Sequence, residues 1–201
     1  MVKKIINFFL EDSAQEAFIP PLFKRLIVEE GFSFDDFQFK ILCSRGGGSI
    51  QEYRNFIKRA NKYSGLGADA LVVGSDGNCN GFAKRREQLL KVATTPPYPV
   101  VFTAIPDPHI ERWYLLDDLA LSRAIGAGVQ AITPVAKCEK NHYKKLLREV
   151  FESTDVQPPL GGWEYGPILA KNIDLYHASQ KDHALGDFVE QVRVWLRQLW
   201  L

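Results

Sequence analysis

Three acidic positions fall where apolar runs stop and turns begin: Glu11, Asp76, and the pair Asp107 and Glu111. A carboxylate at the carboxyl end of a parallel strand points into a crevice that neighbouring strands share. Two or three carboxylates there repel one another unless a cation joins them. Oxygen ligands suit Mg²⁺ or Mn²⁺, which keep several waters and bind phosphates as well. Such an ion generates hydroxide and stabilises charge at a phosphorus centre. The plain alternative is that Asp and Glu are common wherever strands become loops and helix caps. It holds for any one of these residues taken alone; Glu11, Asp76 and Glu111 on successive units favour a site.

Basic residues lie close by in sequence. Lys84-Arg85-Arg86 opens a helix just past Asp76. The run is either a solvated face or a contact to a phosphate backbone, and contact of that kind weakens steeply with salt. Arg45 precedes Gly46-Gly47-Gly48, a turn whose amides could face a phosphate at a helix start. The Walker lysine is missing, so this is no P-loop, and a tight turn is the simpler account. His109 either moves a proton near neutral pH or is an ordinary loop histidine. Glu111 either serves the site or pairs with an arginine. Lys137, Lys140, Lys144 and Lys145 read as a solvated helix face.

The elements that must position these groups alternate between strand and helix. Lys4–Leu10, Phe37–Cys43, Ala70–Val73 and Pro99–Ile105 are short apolar runs of the kind that fill buried parallel strands. Ser13-Ala-Gln-Glu16 and Ser49-Ile-Gln-Glu52 are capping boxes that open helices after the first two runs. Pro20-Pro21 should kink the first of those helices or make it restart. A helix from about Phe82 to Val92 follows the third run. The pattern predicts an α/β fold with a mainly parallel sheet and helices on both faces.

The second half reads as mostly helical. Leu116–Ile125 and Lys140–Phe151 are short amphipathic candidates, and the Pro- and Gly-rich stretch Thr154–Gly166 reads as a loop. Leu185, Phe188, Val189, Val192, Trp195, Leu196 and Leu199 trace one face of a final helix. Trp195 and Trp200 either close the core or dock on a partner subunit. There is no internal repeat or long linker, so 1–201 reads as one domain: an α/β core over 1–115 and a helical extension over 116–201.

Size and composition exclude several classes. With 201 residues, 46% hydrophobic and 24% charged, the chain can bury a sizeable core. No apolar run reaches the roughly 18–20 residues of a membrane span. The opening run is broken by Asn7 and stopped by Glu11 and Asp12, unlike a signal peptide. Three widely spaced cysteines, Cys43, Cys79 and Cys138, offer no CxxC, so neither zinc nor a disulfide framework is expected and a reducing cytoplasm is the simplest setting. Lys+Arg is 25 and Asp+Glu is 24, a net charge of +1. A carboxylate centre ringed by basic groups cancels in that sum, so the balance predicts weak nucleic-acid binding by this chain alone.

Phe9-Leu10-Glu11-Asp12-Ser13-Ala14-Gln15-Glu16-Ala17-Phe18 resembles the opening motif of Toprim domains, a strand that ends in Glu and turns into a helix. Leu71-Val72-Val73-Gly74-Ser75-Asp76-Gly77-Asn78 resembles the Toprim strand that ends in Asp-x-Asp. The segment from Ile105 to Leu116, with Glu111-Arg112-Trp113, resembles one found in small stand-alone Toprim-like proteins. Tyr165–Ala170 and the final helix also suit that group.

The resemblance implies a Toprim-like Rossmannoid sheet and a Mg²⁺- or Mn²⁺-dependent phosphodiester nuclease. DNA or RNA would be the substrate. An ATPase would be the partner, as in bacterial anti-phage defence complexes. Carried over, Glu11 takes the acid/base or metal role and Asp76 holds the metal. Asn78 stands where a second Asp is usual, Asp12 replaces a common Gly, and Gln15 stands where Glu is frequent. Asp107 or Glu111 would restore the lost charge. The expected catalytic set is Glu11, Asp76 and Glu111, the metal set Glu11, Asp76, Asn78 and Asp107, and the nucleic-acid set Arg45, Lys84, Arg85 and Arg86. The alternatives are a degenerate, structural Toprim-like subunit and a Rossmann-like binder of a phosphorylated small ligand through Gly46–Gly48. Homo-oligomerisation is left open.

Overall fold

The computed structural model describes residues 3–43, 50–62, 67–93, 98–132, 138–139 and 141–200. Arg45, the Gly46–Gly48 turn, the Ser49 cap, Lys137 and Lys140 lie outside the described residues.

Four strands form one parallel sheet: β1 (Lys4–Leu10), β2 (Phe37–Cys43), β3 (Ala70–Gly74) and β4 (Val100–Ala104), in the order β2-β1-β3-β4. Alternation along the strands feeds two cores. Ile6, Phe8, Leu10, Ala70, Val72, Phe102 and Ala104 face one side, and Phe9, Leu71, Val73 and Ile105 face the other. The first side is covered by α1 (Ser13–Glu29), α9 (His183–Gln198) and the helices between β4 and α9. The second is covered by α2 (Ile50–Lys62) and α3 (Phe82–Val92). Because α1 leaves β1 toward one face and α3 leaves β3 toward the other, a crevice opens between the carboxyl ends of β1 and β3. This is the switch point at which doubly wound sheets bind ligands.

Asn7, which interrupts the apolar run of β1, is fully buried and donates from Nδ2 to Tyr98 Oη at 3.1 Å. That bond satisfies the Nδ2 donor, while Oδ1 is buried without a partner. Helix α1 runs unbroken through Pro20 and Pro21. Phe18, Ile19, Leu22, Phe23, Leu26 and Ile27 are all buried on the sheet, and that packing outweighs the two missing amide bonds. Its N-cap is Asp12, which accepts from Gln15 N at 2.9 Å; Ser13 is already helical, so the expected Ser13–Glu16 box gives way to a cap one residue earlier, with Gln15 Oε1 reaching back to Glu11 N at 3.1 Å.

The second half holds α4 (Glu111–Tyr114), α5 (Asp118–Ile125), α6 (His142–Ser153), α7 (Gly166–Asn172) and α8 (Leu175–Lys181) before α9. The stretch expected as a loop contains a 3₁₀ turn at Trp163–Tyr165, and α7 begins at its last residue, Gly166. Gly166 lies where a Cβ would come within 2.9 Å of the Ala17 backbone, so α7 packs directly onto α1. The apolar stripe of α9 closes the larger core: Trp195 meets the rings of Phe23, Phe37 and Phe102. Trp200 is 63% exposed and stacks on Phe32 at 4.4 Å. Among the described residues no helix is long and apolar enough to cross a membrane.

Candidate functional site

Beyond the sheet, the loops after β3 and β4 stay paired. Ser75 N donates to Ala104 O, Gly77 N to Pro106 O and Asn78 N to Pro108 O, at 2.8–3.1 Å. This extension brings the Asp76 and Asp107–His109 segments together over the crevice. Gly77 is needed for it, because a Cβ there would overlap the Asp107 carboxylate. Gly77→Ala is expected to lower stability by about 1–3 kcal/mol. Gly128→Ala, where the added Cβ meets open space, should stay within about 0.5 kcal/mol. Urea unfolding of the two variants tests this, and equal midpoints would refute the close approach.

Glu11 and Asp76 meet in this crevice. Glu11 Oε2 accepts from Asp76 N at 2.8 Å and from Ser75 Oγ at 3.0 Å. The buried Arg85 donates to Ser75 Oγ from Nε at 3.0 Å and from Nη2 at 2.6 Å. Gln15 bridges the two strand ends: its Oε1 accepts from Glu11 N at 3.1 Å, and its Nε2 donates to Asp76 Oδ1 at 2.9 Å. Asp76 Oδ2 lies 3.0 Å from His109 Nδ1. One hydrogen-bonded chain thus runs from Arg85 through Ser75, Glu11 and Asp76 to His109.

The electrostatics follow from this crowding. Burial, then the Asp76 charge, pushes the Glu11 carboxyl up to about 6. Burial is also the main cause that raises Asp12 and Glu111. The hydrogen bond to Asp76 raises His109 above its ordinary value. Glu111 Oε1 lies 3.6 Å from Lys144 Nζ, so its cationic neighbour comes from α6. Arg112 instead pairs with Asp182. Asp107 Oδ1 and Glu111 Oε2 are buried without a hydrogen-bond partner.

The expected residues divide accordingly. Glu11, Asp76 and His109 are brought into one network, while Glu111 stands at its rim beside Lys144. Asn78 is exposed and left-handed (φ 49°), and its amide donates to Asp76 O. Arg85 turns inward, Arg86 lies 3.8 Å from Asp187, and Lys84 is exposed. Gln15 and Ser75 were not singled out as site residues. Their signal was position: one lies a helical turn after Glu11, the other directly before Asp76.

No protein-family model matches this chain, and no curated protein or solved structure matches it.

The donor chemistry fits a hard cation. Every candidate ligand is an oxygen, two buried carboxylate oxygens lack partners, and Glu11 is held against its ionised form by burial and Asp76. Among the described residues, however, no three His, Cys, Asp or Glu side chains form a group that could hold a metal ion.

Cys79, next to Asn78, is disulfide-bonded to Cys138, with Cα atoms 5.4 Å apart and a sequence separation of 59. This overturns the expectation that the cysteines stay unpaired. It also removes the argument for a reducing cytoplasm, since such bonds persist in oxidising settings. Sequence distance misled because folding brings the Asp76 loop against the approach to α6. Reduction should destabilise the fold by about 2–4 kcal/mol, read as a lower urea midpoint. The Cys79→Ser, Cys138→Ser double variant should show the same midpoint with and without reductant, and a wild-type midpoint indifferent to reductant would refute the bond.

Proposed function

We propose that the chain is a Mg²⁺- or Mn²⁺-dependent phosphodiester nuclease of Toprim type, working on DNA or RNA with an ATPase partner. The observation that carries the reading is the junction of Glu11 with the Ser75–Asp76 backbone at the switch point of a parallel sheet. Partner and family come from the sequence resemblance; the chemistry comes from the junction.

Glu11 and Asp76 would hold the ion, with the Asn78 amide oxygen and Asp107 beside them. When bound, the ion would supply Lewis acidity and make a bound water easier to deprotonate. The chain's own groups do the rest. Ser75 Oγ and Asp76 N fix Glu11 Oε2. With its carboxyl raised to about 6 in the metal-free site, Glu11 would give up a proton near neutral pH as it takes up the ion. His109, donating Nδ1–H to Asp76, keeps Nε2 as a second proton site. Arg85 sets a positive charge beside Glu11. Lys84 is the exposed member of its basic run and the one suited to a phosphate backbone.

The test has two readouts. Mn²⁺ titrated into the purified chain by calorimetry should bind, and binding should be lost in the Glu11→Gln, Asp76→Asn double variant. Cleavage of single-stranded and duplex substrates in Mg²⁺ or Mn²⁺ should follow the same order. A wild-type chain that takes up no Mn²⁺ would favour the degenerate, structural alternative. Cleavage that survives both substitutions would refute the site.

A further inference from the structure

A cleft of about 730 Å³ opens beside the carboxylate site. It shares Glu111 and Lys144 with that site, and otherwise belongs to α6 and the turn that precedes α7. Its volume lies in the range of pockets that take small organic ligands.

The cleft combines three kinds of surface. Leu147, Phe151 and Trp163 supply apolar and aromatic wall. Lys144 and Arg148 stand four residues apart on α6, which puts both cations on one side of that helix. Glu111, Glu152 and Asp155 add three carboxylates; Lys144 Nζ already lies 3.6 Å from Glu111, and Glu152 follows Arg148 by four residues on α6. Trp163 is distinctive among the tryptophans. Trp113 packs on Phe18 and Phe188, Trp195 on three Phe rings, and Trp200 on Phe32. Trp163 has no ring partner among the described residues, although it lines the cleft and is only half-buried. A large aromatic surface left without a ring to meet it, beside two cations, matches how proteins hold an unstacked base and its phosphate.

We propose that this cleft receives one unstacked nucleotide of a single strand, its base against Trp163 and its phosphate toward Lys144 and Arg148. The inference rests on the nuclease reading and extends it: the cleft would hold the nucleotide flanking the phosphodiester presented to Glu11 and Asp76. Glu111 borders both spaces, so the strand would pass over it. A duplex keeps its bases stacked inside and cannot offer this contact, so the proposal also assigns a preference for single strands.

The test is binding without divalent metal. Fluorescence anisotropy of a labelled single-stranded oligonucleotide, in EDTA and low salt, should show binding that Trp163→Ala weakens by about tenfold. Trp163→Phe, which keeps a ring, should recover most of it, and a duplex of the same sequence should bind more weakly than the strand. Lys144→Ala with Arg148→Ala should reduce the salt dependence. Equal affinity in wild type and Trp163→Ala would overturn the proposal, and so would a strand that does not bind at all. A free nucleoside monophosphate bound as tightly as the strand would overturn the strand as occupant. The two readings fail separately: Trp163-dependent binding without cleavage leaves the cleft standing and the nuclease refuted, whereas Glu11-dependent cleavage with Trp163-independent binding does the reverse.

Discussion

Glu11→Gln should reduce metal-dependent cleavage by at least about 100-fold while leaving the protein folded and, above pH 6, more stable than wild type. The loss follows from removing a carboxylate proposed to hold the ion. The gain follows from the raised pKa of that carboxyl. Burial and Asp76 raise the folded-state pKa of Glu11 to about 6 from an ordinary 4.5, so the folded chain holds its proton more tightly than the unfolded chain does. Stability contributed by this group therefore falls as pH rises from 4.5 to 6, and the penalty stays in force above that. Gln carries no charge and can still accept from Ser75 Oγ and Asp76 N, so it escapes the penalty.

Thermal unfolding of both proteins from pH 4 to pH 8 measures the difference. It should grow across that window and level off above it. Mn²⁺ affinity of the wild type should rise over the same interval, because the ion must displace the Glu11 proton. A functional group that weakens its own fold is the usual trade between stability and activity. A Glu11→Gln protein that is less stable than wild type at pH 7 would mean that the carboxylate is held for structure.

The strands were legible because each is a short apolar run bounded by turn residues, and β1 and β2 end where their runs end. The order β2-β1-β3-β4 was not, since alternating elements predict parallel pairing without saying which strand takes the centre. Glu11 and Asp76 were legible as strand-end carboxylates. Arg85 was masked by its basic neighbours, although Leu89, one turn on, shares its buried face. Helices α7 and α8, seven residues each, carry too little local signal to declare themselves. Helices that short exist only through packing. The Cys79–Cys138 pairing lay beyond spacing altogether.

The largest stability effect is expected at Asp182, which sequence gives no reason to single out. Its carboxylate is 2% exposed and joins three elements. Oδ1 caps α9 by accepting from Leu185 N at 3.0 Å, and it also accepts from Trp113 Nε1 at 3.2 Å. Oδ2 pairs with Arg112 Nε at 2.8 Å. Arg112 in turn donates to Asp107 O at 3.0 Å, so the anchor reaches the loop that carries His109. Asp182→Ala strands a buried indole N–H, a helix N-terminus and a guanidinium at once. Breaking such a buried pair from one side costs about 3–5 kcal/mol. Asp182→Asn keeps an oxygen for the cap or the indole and loses the charge, so its cost should be nearer 1–3 kcal/mol. Asp174→Ala is the control: that residue caps α8 through His177 N at an exposed site, where losing a cap costs about 1 kcal/mol. Urea midpoints should therefore fall in the order wild type, Asp174→Ala, Asp182→Asn, Asp182→Ala. If Asp182→Ala unfolds no earlier than Asp174→Ala, the carboxylate is only a cap, and the packing of α4 against α9 must rest on Trp113 and its apolar neighbours alone.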